Sequence, residues 1–182
     1  MPDELARSLT IAIVPGVNPG KWTKTWSERH PRTRLEVLPI SDAEQHDVLT
    51  SGRADMVFAR MPVDTTSLHA IRLYDEVTVV VAECDHPISV VDAVSLAKLD
   101  DETVLSEPLS QIVDLIVAGG GVTVVPQSVA RQFSRKDVVV RPVTDAPPST
   151  VALVWPRSVE SAAISEFIGI VRGRTARSSR SG

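Results

Sequence analysis

The sequence predicts an α/β fold arranged in two lobes, and three observations carry the prediction. Short apolar runs alternate with helical stretches in the order β-α-β-α-β through about residue 60, the pattern of a parallel sheet flanked by helices. Beyond that point two strands follow one another directly before the α/β alternation resumes. The 182 residues suffice for two small lobes. A chain of this length buries roughly 70% of its unfolded surface, so it needs no metal or disulfide to be stable.

In order along the chain, residues 9–14 are an apolar run ended by Pro15 and Gly16, which predicts a buried strand. Asn18 then precedes Pro19. Asparagine caps helix starts, and proline suits the first helical position because it lacks an N–H that would be orphaned there. This helix extends to about Arg29, where the His30-Pro31 step stops it. Trp22 and Trp26 are four apart and share a face, which assigns them to the core. Residues 34–40 predict a second strand. Ser41-x-x-Glu44 fits a capping box opening a helix that ends at Gly52, and residues 55–59 predict a third strand.

After a loop at 60–67, residues 70–73 and 76–83 predict two strands, and His86-Pro87 breaks the second. A short helix is expected over 94–99, capped by Ser95, and a strand over 102–105. Leu109, Ile112, Val113 and Ile116 recur at helical spacing within 108–118, and the glycines at 119–121 end that helix with a cap and a tight turn. Strands are expected at 122–125, 137–141 and 150–155, with a short helix at 128–133. The closing helix, 159–172, carries Ile164, Phe167, Ile168 and Val171 on one face. The expected lobes are 1–82 with 145–172, and 83–144. Residues 77–83 are expected to cross outward and 142–148 to return. Residues 173–182, rich in Arg and Ser, predict a disordered basic tail.

Composition excludes several classes. The hydrophobic share is 43% and the charged share 23%, ordinary for a globular protein. A net charge of −4 argues against a broad nucleic-acid-binding face. The tail arginines, Arg172, Arg174, Arg177 and Arg180, are either a solubilising terminus or a contact for nucleic acid or an acidic partner. Cys84 is the single cysteine, so no intramolecular disulfide forms and a reducing, cytoplasmic setting is expected. No apolar run is long enough for a transmembrane helix, and the first nine residues lack the basic-then-apolar pattern of a secretory signal.

A search for enzyme chemistry finds none that holds. The four histidines, His30, His46, His69 and His86, form no H-x-x-x-H or H-E-x-x-H pattern, so no metal site is expected. Cys84 is followed by Asp85, which raises rather than lowers a thiol pKa. No G-x-S-x-G elbow is present. Catalytic residues and cofactors are therefore expected to be none. What remains is the turn at residues 14–20. It joins a strand to a helix but is not G-x-G-x-x-G and has no Walker lysine in register. Two readings stand level there. Either Asn18 simply caps a helix, or the N–H groups near Gly20 and Lys21, with the helix dipole behind them, hold a carboxylate or phosphate.

The order of motifs adds a further argument. Leu49-x-x-Gly52-Arg53-Ala54-Asp55-Met56-Val57 is an L-x-x-G-x-x-D-hydrophobic run, followed by Arg60-x-Pro62. An apolar strand leads to His86-Pro87, and Val117-x-x-Gly120-Gly121-Val122-x-Val124-Val125-Pro126 is a V-x-x-G-hydrophobic-P run. Joined in this order across about residues 9–172, these features resemble the effector-binding (substrate-binding) domain of LysR-type transcription regulators. The resemblance implies an α/β fold of two Rossmann-like lobes of periplasmic-binding-protein type, joined by crossover strands, with a small anionic metabolite bound between them. It implies a homodimer, or a heterodimer with a related regulator.

Carried over by position, the first wall of the site is Gly16, Val17, Asn18, Ser41, Asp42 and Arg60, and the second is Ser106, Gln127 and Ser128. Arg60 is the expected cationic partner of a carboxylate, because guanidinium pairs bidentately with it. Two departures qualify this. The helix-turn-helix headpiece is not seen ahead of the first strand, so direct sequence-specific DNA binding by the chain itself is not expected. And after Leu105 the family carries a further helix and strand, whereas here Ser106-Glu107 leads straight into the next helix, so the second lobe is shortened. The competing readings are a ligand-free dimerisation or interaction remnant and, third, an enzyme on the same scaffold.

Overall fold

The computed structural model describes residues 8–173, so all but the first residue of the expected tail lies outside the described residues. The chain divides into two compact units, one running up to Leu73 and resuming at Val151, the other Tyr74–Thr150. It passes between them inside strands β4 (Leu68–Glu76) and β8 (Ser149–Pro156). The segments expected to cross, 77–83 and 142–148, lie instead wholly within the second unit.

The first unit holds a five-stranded sheet in the order β2-β1-β3-β8-β4. Strand β1 (Ser8–Ile13) pairs in parallel with β2 (Arg34–Pro39) and β3 (Met56–Arg60), and β8 joins β3 antiparallel. All five residues of β3 are buried, as the central strand of a sheet covered on both faces requires. Helix α1 (Gly20–Arg29) starts where Asn18 Oδ1 accepts the Gly20 N–H at 2.9 Å. It buries Trp22 and Trp26 against the sheet and against α5 (Ala162–Val171): Trp22 stacks on Phe58 at 4.9 Å, and Trp26 meets Phe167 at 5.9 Å. The Trp26 indole N–H donates to Thr33 O at 3.0 Å, so the ring is buried with its polar edge satisfied.

The L-x-x-G-x-x-D run is explained by this unit. Leu49 and Ala54 are core residues, and Gly52 takes a φ of +70° that a side chain would resist. Asp55 Oδ2 accepts the Thr10 N–H at 2.8 Å while the Asp55 N–H donates to Thr10 O at 2.9 Å. Asp55 thus fixes the entry of β3 beside β1. The helix expected from Ser41 to Gly52 is broken, into a 3-10 turn over Asp42–Glu44 and a short α2, Asp47–Thr50. The break falls at Gln45, whose amide is drawn across to the Arg60 peptide.

The second unit holds a three-stranded sheet, β6 (Thr123–Pro126), β5 (Thr78–Glu83) and β7 (Val138–Pro142), with β5 antiparallel to both neighbours. Alternate residues of β5 serve two cores. Val80 and Ala82 pack with Ile88, Val94, Leu99, Val122 and Val143. Val79 and Val81 face α3 (Leu109–Val117) and α4 (Gln127–Gln132) through Leu109, Ile112, Ile116, Val129 and Ala130. Burial on both faces accounts for the unbroken apolar run in the sequence. The strand expected at 102–105 is reduced to a single parallel bridge, Val104 to Val122, and the helix expected at 94–99 is a 3-10 turn, Leu96–Leu99. The glycines after α3 behave as expected. The Gly119 N–H bonds Ile116 O and the Gly120 N–H bonds Leu115 O, a Schellman cap with Gly119 at φ +76°.

Candidate functional site

Strands β1, β2 and β3 run parallel; β1 and β2 end level, Ile13 pairing with Pro39, and β3 runs two residues further, since Ile13 pairs with Phe58 and the strand ends at Arg60. Their carboxyl ends therefore deliver three loops to one edge of the first unit, where open α/β sheets present their ligand sites. Six expected site residues stand on these ends: Gly16, Val17 and Asn18 after β1, Ser41 and Asp42 after β2, and Arg60 closing β3. Arg60 joins the three loops. One guanidinium nitrogen donates to Pro15 O at 2.7 Å, and Nε lies 3.8 Å from Asp42 Oδ1. The Gln45 amide brackets the Arg60 peptide, donating to its carbonyl and accepting from its N–H, each at 3.0 Å. Arg60 is 8% exposed and so is no loose surface residue.

The electrostatics differ from a bare cation waiting for an anion. Asp42 sits beside Arg60, and burial raises the Asp42 pKa above the ordinary aspartate value while the Arg60 charge pulls it down. Its side chain keeps 57% of its exposure, so a ligand can reach it. The adjacent acid moves the other way. Glu44 Oε2 accepts from Ser41 N and Ser41 Oγ, each at 2.9 Å, which holds its pKa low with help from Arg53.

Two expected roles change in kind. The Val17 side chain is spent in the hydrophobic core, leaving only its backbone to a ligand. The Gly20 N–H, a candidate anion donor, is taken by Asn18 itself. Gln45 was missed, because nothing in its local spacing marks a residue that acts across fifteen positions.

The other three expected residues belong to the second unit. Val104 runs parallel to Val122, so Ser106 leaves toward the end of the sheet where β6 delivers Gln127 and Ser128. Ser106 is exposed, and its N–H bonds Glu107 Oε2 at 3.2 Å. Gln127 is half-buried and lines a groove beside α4, together with Ala130, Arg131, Ser134 and Arg135. Among the described residues no cluster of His, Cys, Asp or Glu that could hold a metal ion is found, and no helix is long and apolar enough to cross a membrane.

Comparison with known proteins places this geometry. The family model of the LysR substrate binding domain matches residues 2–111 and 105–176. The Hca operon transcriptional activator HcaR of Escherichia coli (strain K12) is 28% identical over 204 aligned positions, covering 93% of this chain and 69% of that protein. Since 93% of 182 residues is about 169, some 35 of those 204 positions face gaps on this side. The discontinuity between the two family matches falls at 105–111, where the shortening was expected. Among solved structures, the effector-binding domain of a BenM variant superposes with a TM-score of 0.77 at 19% identity, covering 96% of this chain and 97% of that one. The BenM effector-binding domain with its effector benzoate gives 0.75 at 19% identity, covering 98% and 96%.

Proposed function

The chain belongs to the LysR substrate-binding domain family, and from that premise we propose that it is an effector-sensing module whose ligand is a small carboxylate taken up at the strand ends of the first unit. The observation that supports this is the convergence of three parallel strand ends on Arg60, with Pro15 O at 2.7 Å and Asp42 at 3.8 Å. A ligand carboxylate enters there by displacing Asp42 as the partner of Arg60, and Asn18 and the Gly16 backbone bound its other side. Ser106, Gln127 and Ser128 are proposed as second-unit contributors. The same reading makes the chain part of transcription regulation, as a homodimer or paired with a related regulator in the cytoplasm. The net charge of −4 favours leaving DNA contact to a partner segment.

The test is thermal unfolding with benzoate and a panel of small carboxylates. A ligand at a hundred times its Kd stabilises by about 2.7 kcal/mol, so a Tm rise of about 5 °C or more is expected. Arg60→Lys keeps the charge but loses the planar fork, and should remove the rise. No stabilisation by any carboxylate, or a rise unchanged in Arg60→Lys, would sink the proposal. The interaction-remnant reading predicts a dimer with no ligand response.

A further inference from the structure

A groove in the second unit shares one residue, Gln127, with the contributors proposed above and is otherwise lined by residues not assigned to that site. It has a volume of about 290 Å³ and lies between α4 and strand β7. Its floor is apolar: Val138, Val140 and Pro142, alternate residues on one face of β7, with Val79 and Ala130. Its rim is polar and comes from one side of α4. Gln127 and Arg131 are a turn apart, and Ser134 follows just past the helix.

The charges on this rim are unequal. Arg135 is saturated: its Nε and one terminal nitrogen grip both oxygens of Asp137 at 2.9 and 2.8 Å, and the other donates to Asp114 at 2.9 Å. Arg131 is exposed, and among the described residues it has no hydrogen-bond or ion-pair partner. Gln127 commits its backbone N–H to Val77 O.

We propose that this groove is a second ligand site, for a monoanion with a compact apolar body such as an aryl or short alkyl carboxylate. The apolar group lies on Val138, Val140 and Pro142, and the carboxylate meets Arg131 with the Gln127 amide and Ser134 hydroxyl beside it. The volume sits at the lower end of small-molecule pockets, which limits the body to about one ring. The pair Asp114 and Asp137 outweighs Arg135 by one negative charge, so a second ligand charge is repelled and dianions are selected against. Apolar burial supplies the affinity and a single exposed guanidinium supplies the orientation.

The experiment is titration of the full chain with phenylacetate, followed by amide NMR shifts, with phenethylamine and phenylphosphonate as charge controls. The expected result is saturable shifts centred on Ala130, Val138 and Val140, with binding weakened at least tenfold in Arg131→Gln and lost in Arg131→Glu. Arg131 is a surface position, so both variants should fold. Shifts confined to residues 16–18 and 42 would assign the ligand to the first unit and overturn the proposal. So would equal binding of phenethylamine or phenylphosphonate, an unchanged Kd in Arg131→Glu, or no binding of phenylacetate.

Discussion

Asp42 and Arg60 together set the charge that a ligand meets at the strand ends. With Asp42 ionised, the pair is close to neutral and the anion must compete with an internal carboxylate. The Asp42 pKa is raised, chiefly by burial. As pH falls through it, Asp42 loses its charge and the balance beside Arg60 shifts by one unit toward positive. Benzenesulfonate, whose own charge does not titrate in this range, should therefore bind a few-fold more tightly toward acid pH. Asp42→Asn should bind it tightly throughout and show no such slope. A pH-independent affinity in the parent protein would remove Asp42 from the site.

The same raised pKa has a stability consequence. A group that prefers its proton in the folded state stabilises below its unfolded pKa and loses that contribution as pH rises through the folded value. Glu44, held low by Ser41 and Arg53, acts oppositely: its contribution is present above its unfolded pKa and fades as pH falls through the folded one. Two carboxylates two residues apart thus have opposite signs. Proximity to Arg60 was open to sequence reasoning only through family position. The neutralising role of Asp42 was not, because it depends on a 3.8 Å contact between residues eighteen positions apart.

At the scale of elements, the glycines after α3 separate two physical demands. Gly119 needs φ +76° to close the Schellman cap, the role expected from its place after the last apolar helical residue. Gly121 has φ +147°, and a Cβ there would lie 2.3 Å from Thr103 O. That contact comes from the 103–105 segment, whose Thr103 O accepts from Val122 N–H at 2.9 Å. Gly119→Ala should cost about 1–2 kcal/mol, chiefly the left-handed penalty, because the only close neighbour of the added Cβ is the end of the Glu83 side chain at 3.2 Å, which can swing aside. Gly121→Ala should cost more, because the backbone it strikes cannot swing away as a side chain could. Urea unfolding of the two variants compares them directly, and an equal or smaller loss at Gly121 would show that the 103–105 segment yields. Helices were legible where an apolar period of 3.6 was sustained, as in α1, α3 and α5, with a terminal signal added at α1 and α3. They were not where a tertiary bond decided the matter, as when Gln45 turned away to Arg60 and split the expected 42–52 helix.

At the scale of the molecule, sequence patterning carried the two-lobed α/β architecture because each sheet is covered by helices on a predictable rhythm. The crossing points were misplaced because a strand that changes lobes has the same alternation on both sides of the boundary. The shortened second unit is the feature with the largest physical consequence. About 35 positions present in HcaR face gaps here, and the matches break near 105–111. Among the described residues no further strand lies outside it, and the 103–105 segment is tied by a few bonds: Leu105 N–H to Val122 O at 2.8 Å, Val122 N–H to Thr103 O at 2.9 Å, and the Thr123 hydroxyl to Leu105 O at 2.8 Å. Val104 is left 48% exposed.

A strand held on one side with little apolar burial opens at low free energy, whereas β1, β3 and β8 lie inside a continuous core and open only with the whole unit. Hydrogen exchange followed by mass spectrometry should therefore show residues 103–107 exchanging early, and 9–13, 56–60 and 151–154 exchanging last. Protection of 103–107 equal to that of β3 would mean that another chain covers this edge in solution. In that case the lost strand has been replaced by a partner, and exchange measured across a dilution series would reveal it, because protection supplied by a partner falls with concentration while protection within the chain does not.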